Sequence, residues 1–169
     1  MTNETGRAEF RMLDIRLDVE IGAPRDAVWR SLTEQIAEWW PAKFYVGRAP
    51  RRFAIEPQVG GRVYEDWGDG EGLLFGSVTV YQRSEMLQWV GDMSADFGGP
   101  ARSVTTFRLA DGRKDGHTHL SFHDTPYGIL GEPVLAGLEP GWKWLLRECF
   151  LPYAERGERP ERPATVEGA

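Results

Sequence analysis

Between Arg52 and Asp124 the chain reads as six short runs of strand-forming residues: Arg52 to Glu56, Arg62 to Trp67, Leu73 to Tyr81, Met86 to Asp92, Ser103 to Leu109 and His117 to Asp124. The breaks are PQVGG, GDGEG, QRSE, FGGPA and ADGRKDG, mostly built from the Gly, Pro and Asp that favour tight turns. Runs this short, joined this closely, predict hairpins and hence an antiparallel sheet. The C-terminal part of the chain has another period: Trp142, Leu145, Leu146, Cys149, Phe150 and Tyr153 recur at i, i+3, i+4, i+7, i+8 and i+11. That spacing predicts an amphipathic helix opening at Pro140, with Pro152 kinking or fraying its last turn.

The segment before the sheet completes the order. From Arg11 to Ile21, Leu13, Ile15, Leu17, Val19 and Ile21 alternate with charged residues, which predicts one half-buried strand. Gly22-Ala23-Pro24 stops it, and Pro24 suits a first helical turn, where its missing N–H leaves no bond unmade. Val28, Leu32, Ile36 and Trp39 or Trp40 then recur at helical spacing until Pro41, which pushes its predecessor out of the α region. The fold class that results is α+β: a curved antiparallel sheet wrapped around a long C-terminal helix. Where sheet and helix diverge at one end, the space between them becomes a cavity.

A chain of 169 residues, 41% hydrophobic, fits one domain, expected over residues 10–155 with mobile ends at 1–9 and 156–169. A net charge of −6 with scattered arginines argues against a nucleic-acid or anionic-membrane partner. The single cysteine, Cys149, excludes an intrachain disulfide framework and a thiolate metal cluster. With no signal-peptide pattern and no long apolar run, the expected location is cytoplasmic. A homodimer or a protein partner is left open, and no cofactor is expected.

In the order and spacing of its motifs the sequence resembles the START-like (SRPBCC, Bet v 1-like helix-grip) proteins. Within them it is most similar to the branch named after the activator of the heat-shock chaperone ATPase. The resemblance rests on Ile21-Gly22-Ala23-Pro24 with Val28-Trp29, Glu38-Trp39-Trp40, and Pro57-Gln58-Val59-Gly60-Gly61-Arg62 leading to Glu65. Gly76-Ser77-Val78, Leu87-Gln88-Trp89 and Gly141-Trp142 complete it, over roughly residues 13–155. It implies a deep apolar cavity and a choice of roles. Members bind lipids, hormones, pigments or polyketides; some are cyclases or hydrolases, some sequester reactive antibiotics, and some regulate chaperones. The branch often carries a histidine near the end of the last strand. Counting by twos from Leu120 and Phe122 reaches Asp124 instead, with His123 on the opposite face.

Trp39 and Trp40 are adjacent, so about 100° separates them around a helix and one packing stripe cannot hold both. One ring closing the core while the other faces the ligand space accounts for the pair; both covering core edges accounts for it equally. The same two readings apply to Trp67, Phe75, Trp89, Phe107 and Trp142, with Phe44, Val63 and Leu146 as further candidate ligand contacts. For Glu65, which shares a strand face with Val63 and Trp67, three readings are open. They are a buried ion pair with Arg62 or Arg108, a ligand-orienting or acid-base role, and plain exposure. If Asp124 also faces inward, the two carboxylates become an acid-base pair for a cyclase or hydrolase. The leading expectation is a binding protein for a small, mainly apolar molecule, aromatic, lipid or polyketide-like, rather than an enzyme. A regulatory module for another protein is the third reading. His117, His119 and His123 share strand parity, but about 13 Å separates the last two, so a solvated face is expected and no metal. Cys149 lies on the helix's buried stripe and reads as a core residue.

Overall fold

Each of the six expected strands forms, and the ladder that joins them fixes what faces the helix. The computed structural model describes residues 8–161, so most of the two ends expected to be mobile lies outside the described residues. The strands are β1 (Arg11–Met12), β2 (Ile15–Ile21), β3 (Arg52–Ile55), β4 (Arg62–Gly68), β5 (Glu71–Gln82), β6 (Met86–Met93), β7 (Ala101–Asp111) and β8 (Thr118–Gly128). All neighbours pair antiparallel in the order β1-β8-β7-β6-β5-β4-β3, with β2 also on β8.

The single strand expected from Arg11 to Ile21 is interrupted at Leu13 and Asp14. Its register against β8 is unbroken, since Met12 faces Tyr127 and Ile15 faces Asp124. Between them Leu13 N–H donates to the Pro126 carbonyl at 2.9 Å, and proline has no N–H to return the bond. The gap is a proline's missing donor rather than a turn.

Register shifts between β4 and β5, at Val63/Tyr64 and Asp66/Gly68, and between β5 and β6, at Val78/Val80, mark where extra residues bend the sheet. On the concave side helix α1 (Arg25–Thr33) buries Val28, Trp29 and Leu32. The helical segment expected to run unbroken to Trp40 stops at Glu34 and restarts as the one-turn α2 (Ile36–Trp39). Trp29, Leu32, Phe53, Phe107, Phe122, Leu145 and Phe150 are among the side chains that fill the core.

The C-terminal helix begins earlier than Pro140. Helix α3 (Glu132–Trp144) opens with Pro133 in its first turn and carries Pro140 inside. It passes into wider π-helical turns over Leu145–Phe150 and finishes as α4 (Leu151–Arg156). The expected stripe is buried at Leu145, Leu146, Cys149 and Phe150, but α3 itself has no fully buried residue. Its apolar side faces a cavity instead of packed side chains, so residues 132–139 give only a faint helical pattern. A proline there loses one intrahelical bond without breaking a packed interface. Beyond α4, Arg159 pairs with Glu38 at 2.6 Å, and Ala42 N–H donates to the Glu161 carbonyl at 2.9 Å.

Candidate functional site: a cavity between sheet and helix

Helix α3 spans the open end of the curved sheet, and the two enclose a cavity of about 400 Å³. Among the sheet residues on its wall are Phe53 from β3, Val63 from β4, Phe75 from β5 and Trp89 from β6. From α3 come Val134, Leu138 and Trp142, and from the segment after α2 come Trp40 and Phe44. Phe44 stacks on Trp144 with ring centres 5.9 Å apart, and Lys43 Nζ lies 3.2 Å from the centre of the Trp144 ring. These contacts tie the turn at Ala42–Phe44 to α3.

The double tryptophan divides between core and cavity. Trp39 ends α2 in helical conformation; its indole N–H donates to the Ser31 carbonyl at 2.8 Å, and its ring packs on Phe150 at 4.8 Å. Trp40 precedes Pro41 and is extended, at φ −71° and ψ 117°. Its ring, about 100° around the helix from that of Trp39, stacks on Phe53 at 4.0 Å and lines the cavity. Trp40 Nε1 is buried with no hydrogen-bond partner among the described residues.

Asp124 is a buried carboxyl of the cavity wall, 2% exposed. β8 runs without a bulge against β7, so Thr105 lies directly opposite Asp124 and Ser103 diagonally beside it. Both hydroxyls donate to Asp124 Oδ1, Thr105 at 2.9 Å. Across the cavity wall the Trp142 indole N–H donates to Oδ2 at 2.9 Å. None of the three donors carries a charge. Burial holds the Asp124 carboxyl above the ordinary aspartate range, with the Ser103, Thr105 and Trp142 hydrogen bonds pulling the other way.

Glu65 is fully buried but stands off the cavity wall, and none of its hydrogen bonds is to an arginine. Val46 N–H donates to Oε1 at 2.6 Å; Gly47 N–H at 2.9 Å and the Trp67 indole at 2.8 Å donate to Oε2. A side chain on Gly47 would place its Cβ 2.3 Å from the Trp67 indole nitrogen. Glu65 and Trp67 thus hold the loop at Val46 and Gly47 against β4. Four strand spacings separate β4 from β8, about 19 Å along the sheet, so Glu65 and Asp124 do not form a carboxylate pair.

Of the other candidates, Trp39, Phe107 and Leu146 are core side chains that do not line the cavity. Phe107 packs edge-on to Phe122 at 5.0 Å. Phe53, Ser103, Thr105, Val134 and Leu138 line the cavity although sequence reasoning did not single them out. The alternation of Ser103 and Thr105 carried a usable signal, but only with the β7–β8 register, which loop length alone does not give. His119 and His123 lie half-exposed on the convex face, beside Asp18 at 2.9 Å and Asp14 at 2.6 Å. Among the described residues no three His, Cys, Asp or Glu side chains are grouped to hold a metal ion. Nor is any helix there long and apolar enough to cross a membrane.

No protein-family model and no curated protein sequence matches the chain. Solved structures do. DynU16, from the dynemicin biosynthetic locus, superposes with a TM-score of 0.62 at 22% identity over 88% of this chain. The chain spans about half of DynU16, 49% of its length. The Aha1 dimer from Colwellia psychrerythraea matches with a TM-score of 0.59 at 18% identity, over 86% of this chain and 98% of that one. CalU16 from Micromonospora echinospora gives 0.56 at 17%, over 97% and 89%. The chain has the helix-grip fold of these structures, a curved antiparallel sheet with a long C-terminal helix. At these identities the likeness is one of fold, and the side chains of the cavity carry the functional argument.

Proposed function

We propose that this helix-grip domain binds a small, mainly apolar molecule in the cavity between the sheet and α3. The observation that carries this is the cavity itself. About 400 Å³ lies within the range of roughly 300–1,000 Å³ usual for small-molecule sites, and it is walled by aromatic rings with one buried polar cluster at Asp124. Affinity would come from apolar area removed from water at Trp40, Phe53, Phe75 and Trp89, and orientation from Asp124. The relation of DynU16 to the dynemicin locus supports aromatic and polyketide-like compounds as the first ligands to test.

A cyclase or hydrolase working through two cavity carboxylates is the weaker reading, because Glu65 does not line the cavity and is committed to three donors. A protein-regulatory role, suggested by Aha1, would predict an exposed apolar patch and a cavity too small to hold a ligand; a cavity of about 400 Å³ favours the binding reading. Native mass spectrometry of the purified protein tests the proposal: a co-purifying small molecule, displaced by an added aromatic or polyketide-like compound, is expected. A protein that stays at its bare mass across an aromatic, lipid and polyketide-like panel would overturn it.

A further inference from the structure

The cavity wall has a one-sided charge. Among the described residues its ionisable side chains are Asp92 and Asp124, and no lysine, arginine or histidine lines it. Asp92 is exposed at the rim and already paired with Arg102 at 2.8 Å, its direct neighbour across the β6–β7 ladder. Asp124 is different: it is buried, and each of its partners, Ser103, Thr105 and Trp142, is a neutral donor. Oδ1 accepts two hydrogen bonds and Oδ2 one, while a carboxylate offers about four acceptor sites. Oδ2 therefore keeps room for another donor, and among the described residues no cationic side chain lines the wall to supply it.

Aromatic rings line the same cavity. Trp40, Trp89 and Trp142 all line the wall, and indole faces attract cations through their ring quadrupole. A carboxylate or phosphate ligand would meet the reverse: no positive group, an acidic side chain and ring faces that repel negative charge. From this we infer that the cavity selects a hydrophobic amine: an aromatic or polycyclic body carrying one ammonium group that donates to Asp124 Oδ2. The inference rests on the cavity being a ligand site, as proposed above, and adds the charge of the molecule that fills it.

Three probes with one naphthalene body separate the two claims: 2-(aminomethyl)naphthalene, 2-acetylnaphthalene and 2-naphthoate, titrated calorimetrically into the full chain at neutral pH. The amine is expected to bind at least tenfold more tightly than the carboxylate, with the ketone between them. In Asp124→Asn the amine's advantage over the ketone should fall to less than threefold while the ketone's affinity holds. Carboxylate binding equal to or tighter than amine binding overturns the charge inference and leaves the cavity proposal standing. So does a ketone that outbinds the amine, because Asp124 would then be a donor to the ligand. Failure of all three to bind overturns both. The wild-type series decides without the variant, so a folding defect in Asp124→Asn does not shield the inference.

Discussion

The Trp142 indole N–H donates to Asp124 Oδ2 at 2.9 Å, joining helix α3 to strand β8 through the cavity wall. Because α3 has no fully buried residue, this bond is one of the specific ties that hold the helix over the sheet. Trp142→Phe keeps an aromatic ring beside Phe122, 4.5 Å away between ring centres, but removes the donor together with part of the indole's packing. Loss of about 1–2 kcal/mol of stability is expected, together with a rise in the Asp124 titration, since that hydrogen bond lowers it. Urea denaturation and carbon-detected NMR of the carboxyl measure the two effects. An unchanged Asp124 titration would contradict the assigned bond.

Asp124 also sets a pH dependence with a definite sign. Its carboxyl is raised by burial in the folded chain, so the folded state holds this proton more tightly than the unfolded one. The stability this contributes is complete below the ordinary aspartate value of 3.8 and is lost as pH rises through the higher folded value. Melting curves of wild type and Asp124→Asn should therefore converge, or cross in favour of the variant, as pH increases from about 3 toward neutrality. A gap that widens in favour of wild type over that interval would refute it.

Glu65→Gln should destabilise the chain by roughly 1–3 kcal/mol, because an amide presents its own N–H groups to at least one of three donors now satisfied by the carboxylate. Hydrogen exchange should accelerate at Val46 and Gly47, and at few amides elsewhere. Unaltered protection at those two positions would show that Glu65 does not anchor the loop.

The paired tryptophans should respond unequally. Trp39→Phe breaks the bond to the Ser31 carbonyl inside the core, whereas Trp40→Phe removes an N–H that has no partner among the described residues. Chemical denaturation is expected to show Trp39→Phe less stable than Trp40→Phe by about 1–3 kcal/mol. Equal losses would place both rings in the same role.

Features set by local interactions were legible in the sequence, and those set by distant partners were not. Alternation and turn residues placed β3 to β8 within a few residues, and parity along β8 alone put Asp124 inward and His123 outward. The extent of the helix was less legible, because Val134 and Leu138 face the cavity and leave only a faint stripe ahead of Pro140. Glu65 was recognisable as a buried acid, but its partners were not. They are two backbone N–H groups, which no residue type announces, and a tryptophan on its own strand that had read as a ligand contact. The separation of Trp39 from Trp40 was legible in their adjacency, since about 100° of helical turn divides neighbouring side chains; which ring meets the cavity was not.

The central claim is that the space under α3 holds a ligand, and filling that space tests it most directly. Gly137 lines the cavity and a Cβ added there meets nothing within 4 Å, so Gly137→Phe puts a ring into the cavity from a helix that gains propensity by the change. Tryptophan fluorescence titration of wild type with the aromatic and polyketide-like panel should show saturable binding. The same titration of Gly137→Phe should show at least a tenfold loss, with the melting temperature unchanged or higher. Equal binding by the filled variant, or no saturable binding by wild type, would contradict the account.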